Sequence, residues 1–276
     1  MPVIPRAGSE RLDLAGLTIV VTRPRAQGEI TTRLLRYHGA EVVQFPVLDI
    51  FALPNSMISN SFTPDQIACM NAIIFVSANA ARFGMPLIRA WGGLAAQTKV
   101  FAIGQATTQA LIAEGVDAVL SPADGNDSEA LLAMAQLQNV AGQHIVLVRG
   151  ISESGGRSLL ADTLGASGAQ LWPLECYQRR PVTASAAEKF ELSSRLQKRA
   201  AHGILVLSVE TLDSLVENIA PMPLNRSVAL LVSHQRIAAA AKAYGFERIE
   251  VVPVSDDALP MALHRLKAAL LAIQAH

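Results

Sequence analysis

A short β-branched run that leads into a helical pattern occurs six times in this chain, and that repetition limits its fold more than anything else. The runs are Thr18-Ile-Val-Val-Thr22, Ile73-Ile-Phe-Val-Ser77, Val100-Phe-Ala-Ile103, His144-Ile-Val-Leu-Val148, Ile204-Leu-Val-Leu-Ser208 and Val228-Ala-Leu-Leu-Val232. Unbroken apolar runs of this length suit strands buried on both faces. Their alternation with helices predicts an α/β protein with parallel sheets. Gly39, Gly115 and Gly245 close helical patterns, as residues able to take a left-handed turn do. The helix after Ile73–Ser77 is expected to be interrupted at Gly84 and Pro86.

The six units fall into two sets of three. Ile19-Val-Val-Thr-Arg23 matches Ile145-Val-Leu-Val-Arg149, and Phe75-Val-Ser77 matches Val206-Leu-Ser208. Glu114-Gly115, Ser121-Pro122 and Ser128-Glu-Ala-Leu131 correspond to Tyr244-Gly245, Val252-Pro253 and Asp256-Asp-Ala-Leu259. A period of about 130 residues is too long for a solenoid and points to a duplicated domain. Asn126 or Asp127 can cap the helix ending the first half, and Asp256 or Asp257 the last helix. Leu259, Leu263, Leu266 and Leu270 make one stripe on that last helix, with Pro260 in its first turn. Thr63-Pro64 begins a helix reaching Cys69, and residues 184–200 form a charged surface helix.

Two further stretches echo one another, Gly39-Ala-Glu-Val-Val-Gln-Phe-Pro-Val-Leu-Asp49 and Gly168-Ala-Gln-Leu-Trp-Pro-Leu-Glu-Cys-Tyr177. Proline removes a backbone donor and keeps its neighbour extended. The two runs therefore read as straight connectors between two lobes, not as central strands. Periodicity leaves two divisions open: three units in each half in order, or residues 52–172 as one lobe with both termini combined in the other.

Composition narrows the function. The 276 residues, 51% of them apolar, can fill two cores. Lys+Arg and Asp+Glu are equal at 23 each, giving no support to nucleic acid or an anionic membrane surface as partner. Cys69 and Cys176 cannot make a metal cluster, and a buried thiol is the reading for each. No apolar run approaches the length of a membrane span. The first 15 residues read as a loose tail, and the protein is expected to be cytoplasmic and monomeric.

Parallel sheets bind ligands outside the carboxyl ends of their strands. Those ends carry Thr22-Arg23, Ser77-Ala-Asn79, Gly104 with Thr107, Arg149-Gly150, Ser208 and Ser233-His234. Small hydroxyls and glycines beside helix N-termini offer donors to anions, or else simply cap the next helix. Residues 150–158 resemble a phosphate loop with Gly156 in place of its lysine, which argues against nucleotide chemistry. Flanked by Arg149 and Arg157, that loop suits a carboxylate or is a surface turn. Of the six histidines only His234 stands at a strand's carboxyl end, while His38, His202, His264 and His276 fall in surface patterns. Asp49 and Glu175 read as exposed or cross-linked carboxylates. Tyr177, on the second connector, is placed to face a cleft, where a phenol can donate a proton. Its other reading is a ring packed at the junction with its hydroxyl in water.

Taken together, Ile19-Val-Val-Thr-Arg-Pro24 with Gln27, Phe75-Val-Ser-Ala-Asn-Ala80, Ala102-Ile-Gly-Gln-Ala-Thr107 and Leu174-Glu-Cys-Tyr-Gln178 resemble the uroporphyrinogen-III synthase family. The resemblance runs from about Leu17 to the C-terminus. It implies two flavodoxin-like parallel-sheet domains joined by a two-stranded β-ladder, the first domain discontinuous. In that arrangement residues 16–46 and 178–276 form domain 1, residues 52–172 form domain 2, and 47–51 and 173–177 connect them. It implies a cofactor-free, metal-free cyclisation of hydroxymethylbilane with inversion of ring D, and transient contact with the enzyme that supplies this substrate. By similarity Tyr177 assists departure of the terminal hydroxyl. Thr22, Arg23, Ser77, Asn79, Ala80, Gly104, Thr107, Arg149, Gly150, Ser208, Ser233 and Arg236 are the candidate substrate-binding residues. The sixth unit reads Val232-Ser-His-Gln-Arg236 where many relatives have a second Gly-x-x-Thr. The competing class is a non-catalytic two-lobed ligand-binding protein.

Overall fold

The computed structural model describes residues 11–58, 61–151, 159–220, 228–255 and 258–272. The chain divides into two compact units, Met1–Asp49 with Arg180–His276, and Ile50–Arg179. Each holds one five-stranded sheet.

The strands in chain order are β1 (Thr18–Val21), β2 (Glu41–Gln44), β3 (Leu48–Ala52), β4 (Ala72–Phe75), β5 (Lys99–Ala102), β6 (His144–Gly150), β7 (Gln170–Pro181), β8 (Gly203–Val206), β9 (Ala229–Val232) and β10 (Ile249–Val251). The first unit's sheet has the order β10-β9-β8-β1-β2, and its strands pair in parallel. Ile19 lies opposite Gly203, so strands from the two ends of the chain share one sheet. Side-chain alternation sends Val20, Ile204 and Leu230 to one face, under helices Ala186–Gln197, Val209–Ile219 and Gln235–Ala243. Ile19, Val21, Leu205 and Leu231 go to the other, against helices Arg25–Tyr37 and Ala258–Leu271. In the latter Leu259, Leu263 and Leu270 are buried and Leu266 packs beside them, as the stripe predicts.

The second sheet has the order β3-β7-β6-β4-β5. Phe75, Val146 and Leu174 face one core with helix Ala78–Ala90, while Ile74, Phe101 and Ile145 face another with helix Leu159–Ala166. Each such residue taken wholly out of water contributes about 1.5–3 kcal/mol, and this holds the layers together. The capped ends follow the sequence: Thr63 and Gln66 form a capping box, Asp127 caps helix Ser128–Leu132, and Gly115 and Gly245 have φ of +79° and +81°. The proposed Asp256 and Asp257 cap, the loop at Gly156 and Arg157, and His276 lie outside the described residues.

Several expectations are corrected. Helix Ala78–Ala90 runs unbroken through Gly84 and Pro86. A side chain at Gly84 would collide with Val148 Cγ1, so the glycine serves close packing of helix on strand, and packing overrides propensity. The stretch at Pro173 is not a bare connector: it belongs to β7, with Pro173 opposite Leu147 of β6. Gln170 donates to Gln143, so alternation turns the Pro173 nitrogen away from β6. Leu53 donates to Cys176 at 3.0 Å and Val182 to Val47 at 2.8 Å, which makes β3 antiparallel to β7 and ends it short of Pro173. The missing donor is thus on the side away from β6, where proline takes no bond from that pairing. Cys69 is exposed. His38 and His202 are buried, since each ring's Nδ1 accepts a backbone N–H, from Leu12 at 3.0 Å and Thr18 at 2.9 Å.

Candidate active site

Tyr177 stands near the carboxyl end of the second sheet. Pairing of β6 with β7 runs in register through Arg149 and Glu175, then slips, so that Gly150 lies opposite Tyr177. Such a bulge puts two residues against one and re-aims the side chain that follows. The Tyr177 ring is buried at 6% exposure, beside Phe83 with ring centres 5.7 Å apart. Its hydroxyl lies 3.0 Å from Ser77 Oγ, and Ser77 Oγ also accepts the Ala80 N–H at 3.0 Å as N-cap of helix Ala78–Ala90. The phenol is therefore bonded to a hydroxyl at a helix N-terminus, where the backbone dipoles favour negative charge. A phenol O–H is a hydrogen-bond donor as well as an acceptor.

Around it the second unit gathers Arg149, whose Nη2 donates to Glu175 Oε1 at 3.0 Å. Gly104 is the N-cap of helix Gln105–Ala113, and Asn126 Oδ1 already takes the Gln105 N–H at 3.1 Å. Thr107 and Asn79 are buried, and Ala80 is wholly so with its N–H engaged by Ser77. Cys176 is buried behind Tyr177, and removal from water pushes its thiol up to about 12.

In the first unit the corresponding strand ends are differently equipped. Thr22 is fully buried, with its hydroxyl donating to the Leu205 carbonyl at 2.6 Å, so this group is turned into the sheet. Arg23 Nη1 donates to Thr31 at 2.9 Å. Ser208 caps helix Val209–Ile219 and shares a hydrogen bond with Thr211 at 2.8 Å. The Ser233 hydroxyl donates to Leu207 O at 3.3 Å, and exposed His234 caps helix Gln235–Ala243 by accepting the Arg236 N–H. Arg236 is exposed. The two connector carboxylates are both cross-linked, Asp49 to Arg25 at 3.8 Å and Glu175 to Arg149.

Sequence reading did not find Phe83, and it named Asn126 only as a possible cap of the helix ending the first half. An apolar residue on a helix carries no mark of which ring it meets, and Asn126 serves a helix that starts 21 positions earlier. Among the described residues no group of three His, Cys, Asp or Glu could hold a metal ion. No described helix is long and apolar enough to cross a membrane.

Two units of mainly parallel strands, with helices starting at the strands' carboxyl ends and a phenol held at one of them, make an α/β protein of the class that binds small ligands beyond its strand ends. A family model described as Uroporphyrinogen-III synthase HemD matches residues 29–258. The uroporphyrinogen-III synthase of Escherichia coli K12 is 33% identical over 258 residues, covering 90% of this chain and all of the relative. That of Salmonella typhimurium LT2 is 33% identical over 260 residues, again 90% of this chain and 100% of the relative. In fold, the chain resembles the crystal structure of uroporphyrinogen-III synthetase from Helicobacter pylori 26695, with TM-score 0.57 and 12% identity over 90% of this chain and 98% of that one. It also resembles a mutant uroporphyrinogen III synthase of Thermus thermophilus, with TM-score 0.53 and 17% identity over 92% and 99%. This chain belongs to the uroporphyrinogen-III synthase family.

Proposed function

We propose that the chain is a lyase of tetrapyrrole biosynthesis that cyclises hydroxymethylbilane to uroporphyrinogen III, with Tyr177 as the proton donor. The family match over residues 29–258 supports the reaction, and the Tyr177 hydroxyl held 3.0 Å from Ser77 at the sheet's carboxyl end is the observation that carries the residue assignment. The C–O bond of the hydroxymethyl group breaks, and its oxygen leaves as water with the phenol's proton. The electron pair of the pyrrole fills the gap and gives an azafulvene. The substituted α-carbon of ring D attacks that electrophile to give a spirocyclic intermediate, and its bond to the former bridging carbon breaks. That carbon then bonds to the other α-carbon of ring D, whose hydrogen leaves as the proton that restores the phenol when the ring rearomatises.

Hydroxymethylbilane is reactive unaided and closes spontaneously without inversion. The protein's contribution is therefore geometric, holding one folded arrangement while a single weak acid assists departure. Its carboxylates call for cationic and backbone donors. Arg149 and the backbone at Gly104 in the second unit, and Arg23, Ser208, Ser233 and Arg236 in the first, are proposed to supply them. The same reading carries two flavodoxin-like domains joined by a two-stranded ladder. It is supported by the unit boundaries falling inside β3 and β7 and by the antiparallel bonds from Leu53 and Val182.

The test is direct. The protein is incubated with hydroxymethylbilane, the product is oxidised, and type I and type III uroporphyrins are separated. A large excess of type III is expected; the spontaneous type I product would favour a non-catalytic binder. Tyr177→Phe is expected to lower turnover at least several-fold with the fold intact, and full activity would remove Tyr177 from the mechanism.

A further inference from the structure

We infer that Gly150 and Ser77 are positioning residues for Tyr177: Gly150 sets the plane of the ring and Ser77 the direction of the hydroxyl. This deepens the proposed function and rests on Tyr177 being its proton donor. It also changes the role expected of both residues, from binding substrate to acting through the phenol.

Gly150 lies under the ring. A Cβ placed on it would stand 2.5 Å from Tyr177 Cε2 and 2.6 Å from Cζ, so the aromatic edge occupies the space a side chain would fill. A ring cannot yield there as the far end of a flexible chain would. The bulge fixes the same relation from the backbone, with Ile151 N donating to Tyr177 O at 2.8 Å just past the slip in register. Any side chain at position 150 must therefore tilt the ring or push the strands apart.

Ser77 governs the proton. Its oxygen accepts the Ala80 N–H at 3.0 Å and meets the phenol at 3.0 Å. Accepting a hydrogen bond polarises the serine O–H and makes it a better donor, since bonds in a chain strengthen one another. Of the two directions that the 3.0 Å contact allows, the one inferred runs from Ala80 N–H to the Ser77 oxygen and from Ser77 O–H to the Tyr177 oxygen. With its oxygen receiving, the phenol's own hydrogen is left to point at a leaving group.

The test measures kcat and KM for hydroxymethylbilane in Ser77→Ala, Ser77→Thr and Gly150→Ala, alone and with Tyr177→Phe. Ser77→Ala and Gly150→Ala are expected to lower kcat about tenfold with KM within about twofold, the pattern of a displaced reacting group. Ser77→Thr restores a hydroxyl and a cap and should recover most of the rate. In the Tyr177→Phe background neither change should lower kcat further, because both act through the missing hydroxyl. Losses that multiply there would overturn the inference. Asp127→Ala, which removes a helix cap elsewhere in the same unit, should cost stability and leave kcat unchanged. A fall in kcat in that control matching Ser77→Ala would reduce Ser77 to a structural cap.

A second readout does not depend on turnover. The chain has three tyrosines, so 3-fluorotyrosine labelling gives few fluorine resonances, and Tyr177→Phe assigns one of them. Ser77→Ala and Gly150→Ala should each move that resonance, and an unmoved one would sink the inference. If Tyr177→Phe proves fully active while the resonance still moves, positioning stands and the catalytic assignment of Tyr177 falls.

Discussion

Arg149 and Glu175 sit opposite one another in the register of β6 and β7, with Nη2 donating to Oε1 at 3.0 Å. The side chains are 29% and 25% exposed, and Arg149 Nε is buried without a hydrogen-bond partner among the described residues. A pair of this kind is worth about 0–1 kcal/mol, so its use for stability is slight. Glu175→Gln should lower the free energy of unfolding by less than about 1 kcal/mol in urea titrations. Arg149→Ala is expected to raise KM for hydroxymethylbilane several-fold with kcat near that of the parent, as loss of a carboxylate-binding group should. An unchanged KM would take Arg149 out of substrate binding.

Gly84→Ala tests the packing of helix Ala78–Ala90 on the sheet. On an exposed helix the change would stabilise by up to about 1 kcal/mol. Here the new methyl would meet Val148 Cγ1, with Phe75 Cε1 3.5 Å away and Cys176 Sγ 3.7 Å away. Overpacking of about 1–3 kcal/mol should win, and the variant should unfold at lower urea. A more stable variant would mean that the helix can shift outward.

His38 and His202 predict acid sensitivity in the first unit. Burial lowers the pKa of both, with Arg11 adding to the effect at His38, and the Thr18 backbone and then Glu41 partly opposing it at His202. Both accept backbone N–H bonds at Nδ1, which protonation would break. Each is protonated in the unfolded chain near the ordinary value of 6.5 and resists it when folded. The unfolded state therefore binds more protons below that pH, and stability falls as pH drops from it toward the lowered folded values. Asp13, Glu41 and Glu188 are shifted down by bonds to Lys267, Arg195 and Ser185, so their contribution is lost only in a separate window below about pH 4.5. Urea midpoints measured from pH 8 to 5 should stay level and then decline below about 6.5. A flat profile would refute it.

The two thiols should differ sharply in reactivity. Cys69 is exposed, whereas Cys176 is buried with its pKa pushed up to about 12. Iodoacetamide at pH 8 should modify Cys69 alone in the folded protein and both residues in denaturant, as peptide mass mapping would show. Rapid labelling of Cys176 under native conditions would mean that the layer behind Tyr177 opens.

The strands missed by sequence periodicity are edges or near-edges. Glu41–Gln44 and Ile249–Val251 flank the first sheet and carry polar residues, so they lack the unbroken apolar run that marks a strand buried on both faces. His38 and His202 read as surface residues because an imidazole is equally at home in water. Only the backbone N–H groups of Leu12 and Thr18 show why they are inside. Ser77 and Ser208 were recognisable as strand-end hydroxyls, and both cap helices, yet only Ser77 meets a phenol.

The sequence by itself determined the local chemistry: the six apolar runs that form strands, the caps at Thr63 and Asp127, and the alternation that makes this an α/β chain. These follow from short-range rules of periodicity, capping and side-chain type. Tertiary structure alone decided that β1 pairs with β8, that Pro173 lies inside a strand, that the Thr22 hydroxyl is turned inward, and that Gly150 lies beneath Tyr177. Each of these joins residues far apart in the chain or depends on which neighbour fills a space. Steric exclusion between distant groups leaves no periodic trace in the order of the amino acids.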